Sequence, residues 1–111
     1  MTNIRGALAG PLPTEVAFSA TVLTPPRFFM GSRTHAEHEA FDVRADDGTQ
    51  LEIVDNVKLA PRVPVTPGDR IALRGELVHD KGREPLVHWT HHDPSGRHDA
   101  GWIDLAGKRY A

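Results

Sequence analysis

The chain has no cysteine among its 111 residues. That excludes a disulfide framework, a thiolate metal site and a cysteine nucleophile, so any metal must be held by nitrogen and oxygen. Nor is there an apolar stretch long enough for a secretory leader or a membrane span: Met1 to Pro11 carries one early positive charge, Arg5, and no hydrophobic run. The expectation is a soluble, cytoplasmic protein with no membrane partner. A basic excess is also missing. Thirteen Lys and Arg against fifteen Asp and Glu leave a formal charge of -2, which disfavours tight non-specific binding of duplex DNA and leaves only local patches, such as Arg62, Arg70 and Arg74. Ser19, Ser32 and Ser95 lie in no Gly-x-Ser-x-Gly elbow. No phosphate-cradling glycine loop with Lys-Ser or Lys-Thr occurs, and no helical two-histidine metalloprotease pattern. Without repeats, low-complexity tracts or linkers, residues 1–111 read as one domain, with 1–14 a loosely ordered N-terminal segment.

No helical stripe of useful length is present, whereas short alternating runs separated by turn residues recur. Val16, Phe18, Ala20 and Val22 alternate with smaller or polar residues until Pro25-Pro26. Phe41, Val43 and Ala45 are followed by the turn Asp46-Asp47-Gly48-Thr49 and then by Leu51, Ile53 and Asp55, which predicts a hairpin. Asn56 can cap a short helix over Val57 to Ala60, stopped by Pro61. After Pro67-Gly68-Asp69, Ile71, Leu73, Gly75 and Leu77 form the clearest strand, with Arg70, Arg74 and Glu76 on its outer, solvated face. Leu86 to His92 resumes extended structure, and Trp102 to Tyr110 can form a terminal hairpin. This order predicts an all-β fold: a small five-stranded OB-like barrel with a short helix between its third and fourth strands. Gly75 fits a bend or bulge at a barrel corner. An SH3-like barrel is the rival.

The stretch from Thr24 to Glu39 is long for a connector and contains Phe28, Phe29 and Met30. Either it continues the strands or its aromatics cover a barrel end, and in an OB-fold it borders the ligand face. His35 and His38, with Glu37 or Glu39, can form a small ligand group or join the C-terminal histidines in space, although a solvated loop is the simpler and preferred explanation.

Chemistry concentrates near the C-terminus. His88, His91, His92 and His98 fall in one run with Trp89 and Trp102. Strand alternation through His92 places Leu86, His88, Thr90 and His92 on one side, and Val87, Trp89, His91 and Asp93 on the other. A turn at Asp93-Pro94-Ser95-Gly96 can bring His98 back toward the strand end.

These pieces carry a resemblance. His38-Glu39-Ala40-Phe41, Asn56-Val57-Lys58-Leu59-Ala60-Pro61-Arg62, Gly68-Asp69, Gly75-Glu76 and the block from Val87 to Ile103, with Gly107 and Tyr110, resemble the bacterial domain-of-unknown-function family 3465. Its members are small proteins expected to be OB-like. The likeness runs from about Thr34 onward, leaves residues 1–33 outside, and implies the fold without implying an activity.

Three functional readings follow from the residues. The first is a binding module for single-stranded nucleic acid or a similar phosphate-containing ligand, with His88, Trp89, Trp102, Phe28 and Phe29 stacking and Arg44, Arg74 and Arg97 meeting phosphates. The second is a metal-dependent phosphodiester hydrolase in which His91, His92, Asp93 and His98 hold a divalent ion, zinc or manganese. The third is a protein-interaction adaptor using Phe28, Phe29 and Met30. Alternatively, the imidazoles serve the fold by bonding backbone groups of an irregular segment.

Overall fold

A computed structural model describes residues 1–111. Its elements are α1 (Ile4–Leu8), β1 (Thr14–Val22), β2 (Arg27–Met30), β3 (Glu37–Ala45), β4 (Gln50–Asn56), β5 (Arg70–Val78), β6 (Leu86–His88), β7 (Trp102–Leu105) and β8 (Lys108–Tyr110). Period-two alternation builds the long strands: in β1 the buried residues are Val16, Phe18, Ala20 and Val22, and in β5 they are Ile71, Leu73, Gly75 and Leu77. Five strands close in the order β1, β3, β4, β6, β5 and back to β1. β4 and β6 are parallel and the other neighbours antiparallel, the circuit of an OB barrel. Closure leaves no open edge in the barrel itself. Its interior holds Phe18, Phe41, Val43, Leu51, Ile53, Leu73, Leu77, Val87 and Ile103, all 2% exposed or less.

Two expectations are corrected. No helix connects β4 and β5: Asn56 caps a single turn, its side chain accepting from the Lys58 N–H and its carbonyl from Leu59 and Ala60. Pro61 arrives before a second turn can form, and Val63 and Val65 then drop into the core. The one helix is α1, at the other end of the chain. Residues 1–14 are therefore not a loose segment: Ile4 is buried at 1% exposure, Asn3 caps the helix, and the Arg5 N–H donates to Asp47. No helix is long and apolar enough to cross a membrane.

The long connector resolves into a strand. β2 pairs antiparallel with β3, Arg27 opposite Ala40 and Met30 opposite Glu37, which leaves Phe28, Phe29 and Met30 exposed. At the other flank, β7 pairs antiparallel with β5 over Ile71–Arg74, beyond the stretch that β6 covers, and carries β8 as a terminal hairpin. Gly75 marks a close crossing rather than a break in pairing: a Cβ there would lie 2.6 Å from the His88 carbonyl.

Candidate functional site

The strand expected to run to His92 ends at His88. Trp89 adopts a left-handed conformation, φ 56°, which a side chain other than glycine occupies only when its surroundings hold it there. Alternation therefore stops at Trp89. Thr90 turns inward, fully buried, and donates to Asp55 at 2.9 Å, while His91 is also buried and its Nδ1 donates to the His92 carbonyl at 2.7 Å. Burial holds His91 below the ordinary imidazole range, against the pull of that carbonyl.

Asp93 organises the turn that follows. Its carboxylate accepts from the Ser95 N–H and hydroxyl and from the Arg97 and His98 N–H groups. Those bonds, led by the Ser95 N–H, lower it to about 2. The turn carries His98 back onto Trp89, where the rings stack at 4.1 Å and 10°. From there His98 Nδ1 donates to the Asp99 carbonyl, and Nε2 lies 2.8 Å from Glu76 on β5. His88 reaches the other oxygen of Glu76, also at 2.8 Å. Burial alone would depress His98, but the Asp99 carbonyl and the Glu76 carboxylate outweigh it and raise the group. Burial pushes Glu76 up, and the two imidazoles bring it below its usual value. Asp93→Ala removes the acceptor shared by this loop, so amide exchange at Ser95, Arg97 and His98 is expected to accelerate; unchanged protection would count against this role for Asp93.

On the adjoining face a groove opens beside β4. A cleft of about 270 Å3 is walled by His38, Val54, Asn56, Leu59, His88, Trp89 and His91, and it continues past Thr34 and His38 into one of about 250 Å3 lined by Phe29, Gly31 and Arg33. The walls come from β3, β4 and the β1–β3 connection, the customary ligand face of an OB barrel, together with Leu59 after β4, His88 at the end of β6, and Trp89 and His91 just beyond it. In a chain of net charge -2, no carboxylate lines the groove. Arg33 is exposed and joins no ion pair, and the same holds for Arg97 in the neighbouring loop.

Of the residues expected to bind a ligand, His88, Trp89 and Phe29 line this groove, and Phe28 lies on the same strand as Phe29 with the Arg62 guanidinium 4.4 Å from its ring. Arg44, Arg74 and Trp102 do not join them. Arg44 is six residues along β3 from His38, roughly 20 Å at strand rise. Arg74 pairs with Glu15 at 3.6 Å, and Trp102 lies opposite Arg74 on β7 beneath the Arg109 guanidinium. The set His91, His92, Asp93 and His98 does not converge: Asp93 is occupied by its own loop, His91 is turned to a carbonyl, and His98 faces Glu76. One group of metal-type donors does come together, Glu15, Glu76 and His98.

Arg33 and Asn56 line the groove and Glu15 joins the donor group without having been expected there. The signal for Glu15 was present: it is an outward position of the first barrel strand, which barrel closure must lay beside the outward face of the fourth. Glu39 was not expected in the interior, whereas Asp55 stood in the alternating set with Leu51 and Ile53 and is buried with them. Both are fully buried, opposite one another across β3 and β4, with one oxygen each unbonded. Thr90 anchors on Asp55 and the Val63 N–H on Glu39.

Among curated proteins no relative matches. A family model does match, over residues 27–111, and it takes in β2 and its aromatics, which the resemblance from Thr34 had left outside. With that match covering most of its length, the chain belongs to the family described as protein of unknown function DUF3465.

Proposed function

We propose that this protein binds single-stranded nucleic acid in the groove between β4, Trp89 and the β2 hairpin. The observation that carries this reading is a concave, carboxylate-free surface on the ligand face of an OB barrel whose overall charge is negative. Phe29, 44% exposed, and Trp89 supply apolar walls for bases, while Asn56 and Thr34 offer hydrogen bonds to base edges. Arg33 and Arg97 carry the charge that meets phosphates. Each groove aromatic is already backed on one side, Phe29 by His38 and Trp89 by His98, which holds the ring in place at little further entropic cost on binding.

Fluorescence anisotropy with a labelled oligothymidylate tests this directly. Binding is expected at low salt, weakening as salt rises. Phe29→Ala and Arg33→Ala, both exposed positions that leave the core untouched, should each reduce affinity; the stacking contribution of one base is about 1–3 kcal/mol. Arg44→Ala should leave it unchanged. Absence of binding at low salt, or binding indifferent to both groove substitutions, would remove the proposal.

A further inference from the structure

The outer face of β1 and β5 carries an arrangement that the groove does not use. Antiparallel register sets Glu15 directly opposite Glu76, and like charges so placed repel. Both oxygens of Glu15 are closed off from solvent and accept no hydrogen bond; the Arg74 guanidinium stands 3.6 Å away, too far for one. Toward this pair the Asp93 loop delivers His98, and the ring is fixed three ways: its main-chain N–H bonds Asp93, its face stacks on Trp89, and Nδ1 donates to the Asp99 carbonyl. A carbonyl only accepts, so Nδ1 holds the proton. That leaves Nε2 as the free donor atom of the neutral ring, aimed at Glu76. Two lone pairs facing each other require a cation between them, either a proton or a metal ion. Metal-binding histidines hold their second nitrogen in this way, on a backbone carbonyl.

We propose that Glu15, Glu76 and His98 bind a divalent transition-metal ion. Their donor atoms lie within 4.8 Å of one another, so a small side-chain adjustment brings all three to the bond lengths of about 2.0–2.2 Å that such ions adopt. One imidazole with carboxylates suits zinc and manganese rather than soft metals. His88, on the far oxygen of Glu76, orients that carboxylate. The three side chains are 21–22% exposed while the Glu15 oxygens face inward, so the same small adjustment that brings Glu15 onto the ion opens it to solvent, and water completes its shell. This is a different site from one built on His91, His92, Asp93 and His98; only His98 is common to both. It lies behind Trp89, whose ring also walls the groove.

Calorimetric titration of the untagged full chain with zinc chloride and, separately, manganese chloride tests the site. One equivalent of at least one metal should bind. Affinity should fall about tenfold or more in Glu15→Gln and in His98→Ala, and hold in His92→Ala. Glu15→Gln removes the charge opposed to Glu76 and keeps its shape, so its circular dichroism should match the parent. Nitrogen chemical shifts give an independent readout, since Nε2 of His98 should move on metal addition while that of His92 stays. Failure of both metals to saturate, binding that survives Glu15→Gln, or binding lost only in His92→Ala would overturn the proposal.

Discussion

Gly101→Ala is expected to destabilise the protein by about 3 kcal/mol or more, a cost at the upper end of core overpacking. A Cβ at this position would lie 1.9 Å from the Trp89 carbonyl oxygen, 2.6 Å from that of Arg74 and 2.8 Å from the Thr90 Cα. All three are backbone atoms, so no rotamer change relieves the contact. The chain must move, and what moves is the segment that ends β6 and sets the left-handed Trp89. Gly101 also donates its N–H to the His91 carbonyl at 2.9 Å, a bond that the same displacement stretches. Both Trp89 as a groove wall and His98 against Glu76 depend on this packing. Gly96→Ala makes a useful contrast. At Gly96 a Cβ meets nothing within 4 Å, and the cost is the left-handed backbone alone, φ 69°, about 1 kcal/mol. Urea unfolding should separate the two clearly; equal midpoints for Gly101→Ala and the parent would mean that this crossing is not tight.

The second large effect is a fall in stability as pH rises from about 4 to about 7. Burial lifts Glu39 to about 7, with Asp55 adding to the rise and the Val63 N–H and Arg62 opposing it. Burial likewise lifts Asp55 to about 6, against the Thr90 hydroxyl, the Asn56 N–H and His38. A carboxyl that holds its proton more tightly when folded favours the folded state below the unfolded-state pKa, and that contribution disappears as pH climbs through the folded-state value. Burial also raises Glu15 and Glu84, which add to the same trend, while other groups act in other windows or with the opposite sign. Asp47, Asp93 and Asp104 are lowered and lose stability toward more acid pH, whereas buried His91 favours folding above its unfolded value. A difference measurement isolates the pair. Glu39→Gln keeps an oxygen for the Val63 N–H and never ionises. At pH 8 it should be more stable than the parent, on the order of 3 kcal/mol at about 1.4 kcal/mol per unit of displacement. Near pH 4 the two should converge. Asp55→Asn should behave alike, and the two gains should fall short of additive because each removes the same repulsion. If Glu39→Gln were the less stable protein at pH 8, the interior carboxyls would have to be read as an ionised, well-solvated pair.

Much of the architecture is written in local pattern. Alternation in Val16–Val22, Phe41–Ala45, Leu51–Asp55 and Ile71–Leu77 names the strands and their inward faces, because a sheet with one buried face must repeat every two residues. Asp47-Gly48 names the hairpin for the same kind of reason, a turn needing φ above zero. The turn at Asp93 that returns His98 was legible too, from residues that bond their own backbone. The helix after Asn56 was misread because capping chemistry and Pro61 both fit a single turn as well as a helix, and propensity does not set length over four residues. The strand at Arg27–Met30 was hidden because it has no inward face: all four residues are exposed, so no alternation marks it.

The site shows the same division more sharply. Composition alone decided that no cysteine chemistry is available and that imidazole and carboxylate are the donors. The local run from Val87 to Ile103 marked where they concentrate. Which of them meet was settled by barrel closure. It lays β1 against β5 and so brings Glu15 to Glu76 across sixty-one positions of sequence. It was settled also by the crowding at Gly101, which goes with the break of β6 at Trp89 and sends His91 inward while His98 folds out to the barrel wall. Local preferences act over a few residues, and pairings at that separation arise only when the whole sheet closes on its core.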